Sequence, residues 1–172
     1  SQMDVIEQLP DAAFLILQTV LQELQHLNTS VYQRLLQMVK DENHSVVFYA
    51  NEFSSETTSR RASNESVNDW KDRLIRRSVA FFSSLTANTS SSVIMISNDK
   101  GNRSKAEEEG IQNLGIFQYI SKYYPEQLDL VGLDEHGALS SSSSSGGSDD
   151  VEEHLSVDEI SAGLKACKYY RG

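Results

Sequence analysis

The chain has 172 residues and a mass of 19.2 kDa, with 15 Lys+Arg against 25 Asp+Glu and a formal charge of −10. That length suits one ordinary domain with a single core and argues against a multidomain enzyme. A lone cysteine, Cys167, excludes an internal disulfide framework and a four-cysteine zinc site.

No apolar run approaches the roughly 20 residues needed to span a bilayer. Ser1–Pro10 lacks the apolar core of a signal peptide. The expectation is a soluble domain from a reducing compartment. Five Asn-x-Ser/Thr triplets (Asn28, Asn43, Asn64, Asn88, Asn102) read as chance in a chain rich in both residue types.

In chain order, Phe14–Leu17 is a short apolar run that fits a buried strand. Thr19-x-x-Gln22 reads as a capping box opening a helix through Leu27. Ser30 is the expected cap of the next helix, whose Val31, Leu35, Met38 and Val39 recur at helical spacing. Val46–Ala50, β-branched and aromatic, predicts a second strand, and the polar stretch Asn51–Asn64 a loop. A long helix is expected over Val67–Ala87, with Trp70, Leu74, Val79, Phe81, Phe82 and Leu85 on its apolar side.

Ser92–Ser97 carries four consecutive apolar residues, the pattern of a strand covered on both faces. A helix then follows over Ser104–Glu109, with Gly110 to stop it. Gly115–Tyr124 predicts another helix, and Pro125 the first turn of a short one. This alternation argues for an α/β fold: a parallel sheet with helices on both faces. Ser140–Asp150 is a Ser-rich acidic low-complexity run. After it, Ser156-x-x-Glu159 caps a helix through Ile160, Leu164 and Ala166.

The net acidity hides a contrast. Between Arg60 and Lys105 lie nine basic residues and four acids (Glu65, Asp69, Asp72, Asp99), a local charge of +5 against −15 for the remainder. Such a patch suits a polyanion or, more plainly, a solvated helix face.

In open parallel sheets the reacting site lies beyond the carboxyl ends of the strands. Asp99 follows the strand Val93–Ile96, and Glu23 lies in the first turns of the helix after Phe14–Leu17. Asp69 and Asp72 open the long helix three residues apart, on one side. Carboxylates that gather without equal positive charge repel one another unless a divalent cation sits between them. Mg²⁺ or Mn²⁺, held by a few carboxylates and water, can activate a water for attack on phosphorus. The plainer reading is acids that favour a helix dipole or a turn. His26, His44, His136 and His154 show no ligand spacing and are assigned to the surface, and Cys167 to a structural role. No Gly-x-Gly-x-x-Gly or Walker loop is present, so a nucleotide cofactor is not indicated.

Several blocks then follow one order: Val20-Leu21-Gln22-Glu23-Leu24, Ser30-Val31-Tyr32-Gln33-Arg34, Phe48-Tyr49-Ala50-Asn51-Glu52, Asn68-Asp69-Trp70-Lys71-Asp72-Arg73-Leu74-Ile75-Arg76 and Ile96-Ser97-Asn98-Asp99. The order resembles the PIN endonuclease domain of the catalytic subunit of the eukaryotic RNA exosome, a protein that also carries an RNase II-type 3′→5′ exoribonuclease. Lys105–Ile111 and the stretch His154–Gly172 fit as well. The resemblance implies a PIN-like Rossmannoid three-layer fold over residues 1–139, a flexible loop at 140–150 and a C-terminal helix at 151–172 leading toward a cold-shock domain.

It also implies internal cutting of single-stranded RNA with Mn²⁺ or Mg²⁺, in RNA processing and decay. Glu23, Asp72 and Asp99 would be the metal-holding, catalytic acids. Asp69 and Ser97 would stand behind them, with Arg73 and Arg76 as RNA contacts. Trp70 and Lys71 occupy positions where the family usually has Arg and Asn. Exosome ring subunits are the implied protein partners, and a second role is docking to that ring. The implied location is the nucleus and nucleolus, with some cytoplasm, and no membrane.

One element of the pattern is missing. The family's first strand ends in an Asp-Thr-Asn segment bearing a fourth metal-binding aspartate, and Ser1–Val5 resembles the residues just after it. Asp4, on the following helix, is a poor substitute. In this fold that strand lies in mid-sheet, so the expectation is unpaired backbone on its neighbours. For this chain alone, weak metal binding and little cutting are expected.

Overall fold

The two most continuous apolar runs form the strands on either side of the central one in a five-stranded sheet. The computed structural model describes residues 2–9 and 13–128 and the backbone of residues 166–169. Strands run over Ala13–Leu17 (β1), Ser45–Tyr49 (β2), Val93–Ile96 (β3), Asn113–Leu114 (β4) and Ala166–Tyr169 (β5), in the order β2-β1-β5-β3-β4. β1 pairs parallel with β2 (Leu15 opposite Val47), and β3 parallel with β4 (Met95 opposite Asn113). Helices span Gln2–Gln8 (α1), Gln18–Leu27 (α2), Thr29–Lys40 (α3), Val67–Thr86 (α4), Lys100–Glu108 (α5) and Ile116–Tyr123 (α6), with a 3-10 turn at Pro125–Gln127.

Phe14–Leu17 and Val93–Ile96 are buried at every position. Alternating side chains point to opposite faces, so helices must cover both sides of these strands. The cover includes Val20, Leu21 and Leu24 of α2, Ile75 and Val79 of α4, and Ile116, Tyr119 and Ile120 of α6, all in one core. Each such side chain contributes about 1.5–3 kcal/mol on leaving water.

The ends of several helices differ from the sequence reading. α2 starts at Gln18 directly from the end of β1, and no side chain caps it. Thr19 is therefore already inside the helix, and its hydroxyl is free for other work. α3 is capped by Asn28, whose Oδ1 accepts from the N–H of Val31 at 3.0 Å; Ser30 lies within the helix. α4 begins at Val67 as expected, with Ser66 as its cap. α5 begins four residues earlier than expected, because Asp99 caps it. Gly110 ends that region with φ +72°, a conformation that favours glycine. β4, only two residues long, has no sequence signature.

The centre of the sheet departs further. β5 lies between β1 and β3 and runs antiparallel to both, with Cys167 opposite Leu15 and Met95. The expected unpaired backbone in mid-sheet is therefore absent along these positions. The reading that continued a helix to Ala166 is corrected here, since Ala166–Tyr169 is extended. The remainder of that predicted helix and the Ser-rich run lie outside the described residues. Within them, no helix is long and apolar enough to cross a membrane.

Candidate active site

β1, β2 and β3 point the same way, so their carboxyl ends make one rim. Two hydrogen-bonded knots organise it. The first joins β1 to β2. Thr19 and Asn51 are both fully buried, and the Thr19 N–H donates to Asn51 Oδ1 at 3.2 Å. Asn51 Nδ2 donates to Thr19 Oγ1 at 2.8 Å. The Thr19 hydroxyl lies 3.1 Å from both Asn51 Oδ1 and Glu52 Oε1. It has one proton to give, and the carboxylate is the stronger acceptor. Thr57 Oγ1 donates to the Asn51 carbonyl at 2.7 Å, which ties the following loop to the same point.

The second knot braces α4 against α5. Ser97 is fully buried just past β3, and its Oγ accepts from the Asp99 N–H at 3.2 Å. Asp99 Oδ1 accepts from the Asn102 N–H at 2.9 Å, the helix-capping bond. Asn102 Oδ1 in turn accepts from Arg76 Nη1 at 2.8 Å. Arg76 Nε donates to Glu109 Oε1 at 2.8 Å, and Arg76 itself is only 5% exposed. At the outer end, Lys105 Nζ lies 2.9 Å from Asp69 Oδ1, while Ser66 Oγ donates to Asp69 Oδ2 at 2.7 Å. The Ser66 bond and then Lys105 hold the Asp69 carboxyl below its usual range. Asp69 raises Lys105, and the charge of Asp72 adds to the effect.

A third set of bonds fixes the 51–65 loop onto α4. Arg73 Nε and Nη2 reach Glu65 Oε1 and Oε2 at 2.8 and 2.7 Å, a two-pronged pair. Arg73 Nη1 donates to Ser59 Oγ at 2.7 Å, and Trp70 Nε1 to the Ser59 carbonyl at 2.7 Å. Arg73 pulls the Glu65 carboxyl down to about 2.

The acids singled out in the sequence all stand on elements that meet at this rim. Glu23 is half-buried on α2, just beyond β1. Asp99 is half-buried at the start of α5, just beyond β3. Asp72 lies in the first half of α4, which leaves the same end of the sheet and runs back to β3. Asp69 stands one turn earlier on α4, paired with Lys105.

Among the described residues, no three His, Cys, Asp or Glu side chains gather closely enough to hold one metal ion. As placed, the three acids share an end of the sheet without forming the expected Mn²⁺ or Mg²⁺ cluster. Asp4 is drawn elsewhere, to Arg34 of α3 at 2.6 Å beside Glu7. The two arginines expected to touch RNA have inward partners: Arg73 holds Glu65, and Arg76 holds Glu109 and Asn102. The exposed cations Arg60, Arg61 and Lys100 have no ion-pair partner among the described residues. Asn51 and Glu52 follow β2 as Asp99 follows β3, so the strand-end rule points to them too. Asn102 and Glu109 carry no such signal.

A family model described as a PIN domain matches residues 1–116. The chain belongs to the PIN-domain family. Among curated relatives, the exosome complex exonuclease RRP44 of Homo sapiens is 31% identical over 178 residues, covering 99% of this chain and 18% of that protein. RRP44 homolog A of Arabidopsis thaliana is 30% identical over 177 residues (99% and 19%). The exosome complex exonuclease dis3 of Schizosaccharomyces pombe is 28% identical over 162 (92% and 17%). This PIN domain thus spans less than a fifth of the length of these relatives. The solved PIN domain of T. brucei RRP44 superposes with a TM-score of 0.61 at 22% identity, over 74% of this chain and 75% of that one. That likeness establishes the shared α/β fold.

Proposed function

We propose that this PIN domain cuts single-stranded RNA internally, as part of an exosome catalytic subunit acting in RNA processing and decay. The observation that carries the reading is the convergence of the Glu23, Asp72 and Asp99 elements on one rim of a PIN fold. The reaction is phosphodiester hydrolysis. Water adds to phosphorus in line with the departing ribose oxygen, the bond to that oxygen breaks, and the oxygen takes up a proton.

The chain's own groups prepare the rim for this. The Arg76–Asn102–Asp99 series fixes the start of α5 relative to α4, so Asp72 and Asp99 are carried on a braced pair. The Thr19–Asn51 knot holds the root of α2, two turns or less from Glu23. Arg60, Arg61 and Lys100 are the proposed phosphate contacts, in place of the inward Arg73 and Arg76. A divalent ion, Mn²⁺ or Mg²⁺, belongs to the proposal as the expected cofactor, with Glu23, Asp72 and Asp99 as its candidate holders.

The measurement is cutting of a circular single-stranded RNA, which offers no end to an exonuclease, in Mn²⁺-containing buffer. Asp72→Asn is expected to slow cutting by about a hundredfold or more with an unchanged circular dichroism spectrum. Cutting at the original rate by that variant of the whole catalytic subunit, or none by the unsubstituted subunit, overturns the assignment; the 172-residue chain by itself is expected to cut little.

A second role, docking to exosome ring subunits, is supported by the strong negative charge outside residues 60–105. Glu23→Ala with Asp99→Ala is expected to remove cutting and leave ring association intact, which separates the two roles. The proposal carries with it a nuclear and nucleolar location, with some cytoplasm, which imaging of a tagged protein checks.

A further inference from the structure

The two edges of the sheet are built differently. β4 is two residues long and half-buried, the usual way of blunting an edge. β2 is five residues long with a burial pattern that leaves Ser45, Val47 and Phe48 exposed. Among the described residues no strand pairs with its outer side. Val47 is 60% and Phe48 44% exposed, and they project to opposite faces.

Each face carries an apolar cleft next to the strand. Val47 stands at the outer end of one of about 370 Å³ that runs inward over β1 as far as Val93 under Phe82 and Leu85 of α4, and Leu85 is itself 59% exposed. Phe48 borders another of about 360 Å³, with Leu21 of α2 and Leu36 and Val39 of α3. A strand laid along β2 would put successive side chains alternately beside these two clefts, while its backbone satisfied the open N–H and C=O groups.

Charge selects the occupant. Residues 41–56 contain four carboxylates (Asp41, Glu42, Glu52, Glu56) and no Lys or Arg. A second copy pairing antiparallel through β2 would set Asp41 and Glu42 against the partner copy's equivalent of Glu52, like against like. This chain's own residues 129–165 hold nine acids and one lysine, so they are repelled as well.

We infer that the outer edge of β2 is a strand-addition site for an extended segment of another protein, apolar at its centre and flanked by Lys or Arg. The inference stands on β2 alone and does not depend on RNA cutting.

The test uses the 172-residue chain and a synthetic probe, Lys-Lys-Thr-Val-Ile-Val-Thr-Lys-Lys. Expected results are saturable binding by fluorescence anisotropy, with amide shifts centred on Ser45–Tyr49. Binding should be lost when the central backbone amides of the peptide are N-methylated. It should weaken by about tenfold or more when the lysines become glutamates. Val47→Asp, at an exposed position, should abolish binding without altering the circular dichroism spectrum, and Phe48→Ser should do so from the other face. No binding at millimolar peptide, shifts elsewhere, or equal binding of the Glu-flanked peptide overturns the inference. So does a dimer in sedimentation that Val47→Asp dissociates, which would make a second copy the occupant.

Discussion

The two halves of the rim are held by different chemistry. Between β1 and β2 the heart of the fastening is neutral and fully buried, the Thr19 hydroxyl and N–H against the Asn51 amide, with the Glu52 carboxylate at its outer side. Between α4 and α5, and between α4 and its preceding loop, it is ionic and partly wet: Arg76 with Glu109, Lys105 with Asp69, Arg73 with Glu65. A buried neutral bond costs most when one partner is removed, because the other keeps no water. An exposed ion pair costs little, but it answers to pH and salt. The neutral half should therefore behave as a permanent joint and the ionic half as an adjustable one.

The hardest blow to that contrast is Asn51→Ala. It strands the Thr19 N–H inside the fold, leaving the hydroxyl only Glu52, and is expected to cost about 2–4 kcal/mol in urea unfolding, with little dependence on salt. A loss that disappears in salt would erase the distinction. Arg76→Ala comes next, at about 1–3 kcal/mol, because Asn102 is left buried while Glu109 can turn to water. Arg76→Met, which keeps the volume, should recover part of the loss; equal losses would show that packing, not the charge, matters there.

The third effect is a pH response. The folded-state Glu65 carboxyl is lowered from its ordinary 4.5 to about 2 by Arg73. Its contribution is thus whole above about pH 4.5 and is lost as pH falls toward 2. The only tryptophan, Trp70, is bonded to the Ser59 carbonyl in this loop, so its fluorescence should change over that window. In Glu65→Gln that change should be absent. Smallest is Lys105→Ala, which removes an exposed pair and should leave the urea midpoint unmoved in high salt; a clear drop there would mean the pair is less exposed to solvent than its position implies.

What could be read from the residues, and what could not, divides along the same line. The buried strands announce themselves through runs such as Val93–Ile96, and the start of α4 at Val67 and the stop at Gly110 are legible in adjacent residues. The acids at the strand ends follow from a topological rule that needs only the order of elements. The knots carry no such signal, since each joins residues about thirty apart: Thr19 with Asn51, Arg76 with Asn102 and Glu109. Thr19 shows how a local rule misleads. Its spacing to Gln22 matches a capping box, but β1 runs into α2 without a break, leaving the hydroxyl to face Asn51. Arg76 fails for another reason. An arginine on a basic helix reads the same whether it faces solvent or Glu109, and only the position of α5 decides. The antiparallel β5 was hidden because its partners are fixed by the sheet it completes, not by its own four residues.

That strand has a consequence for how the molecule assembles. β1 and β3 do not touch one another through backbone bonds; each bonds to β5, so the β2-β1 and β3-β4 pairs are separate leaves until Ala166–Tyr169 is sewn between them. Closing that seam joins positions as distant as Ala13 and Tyr169. The entropy of so long a closure makes it a late and slow event on the folding path. Until it happens, both leaves present bare inner margins, the state in which a nascent chain most needs protection from its neighbours.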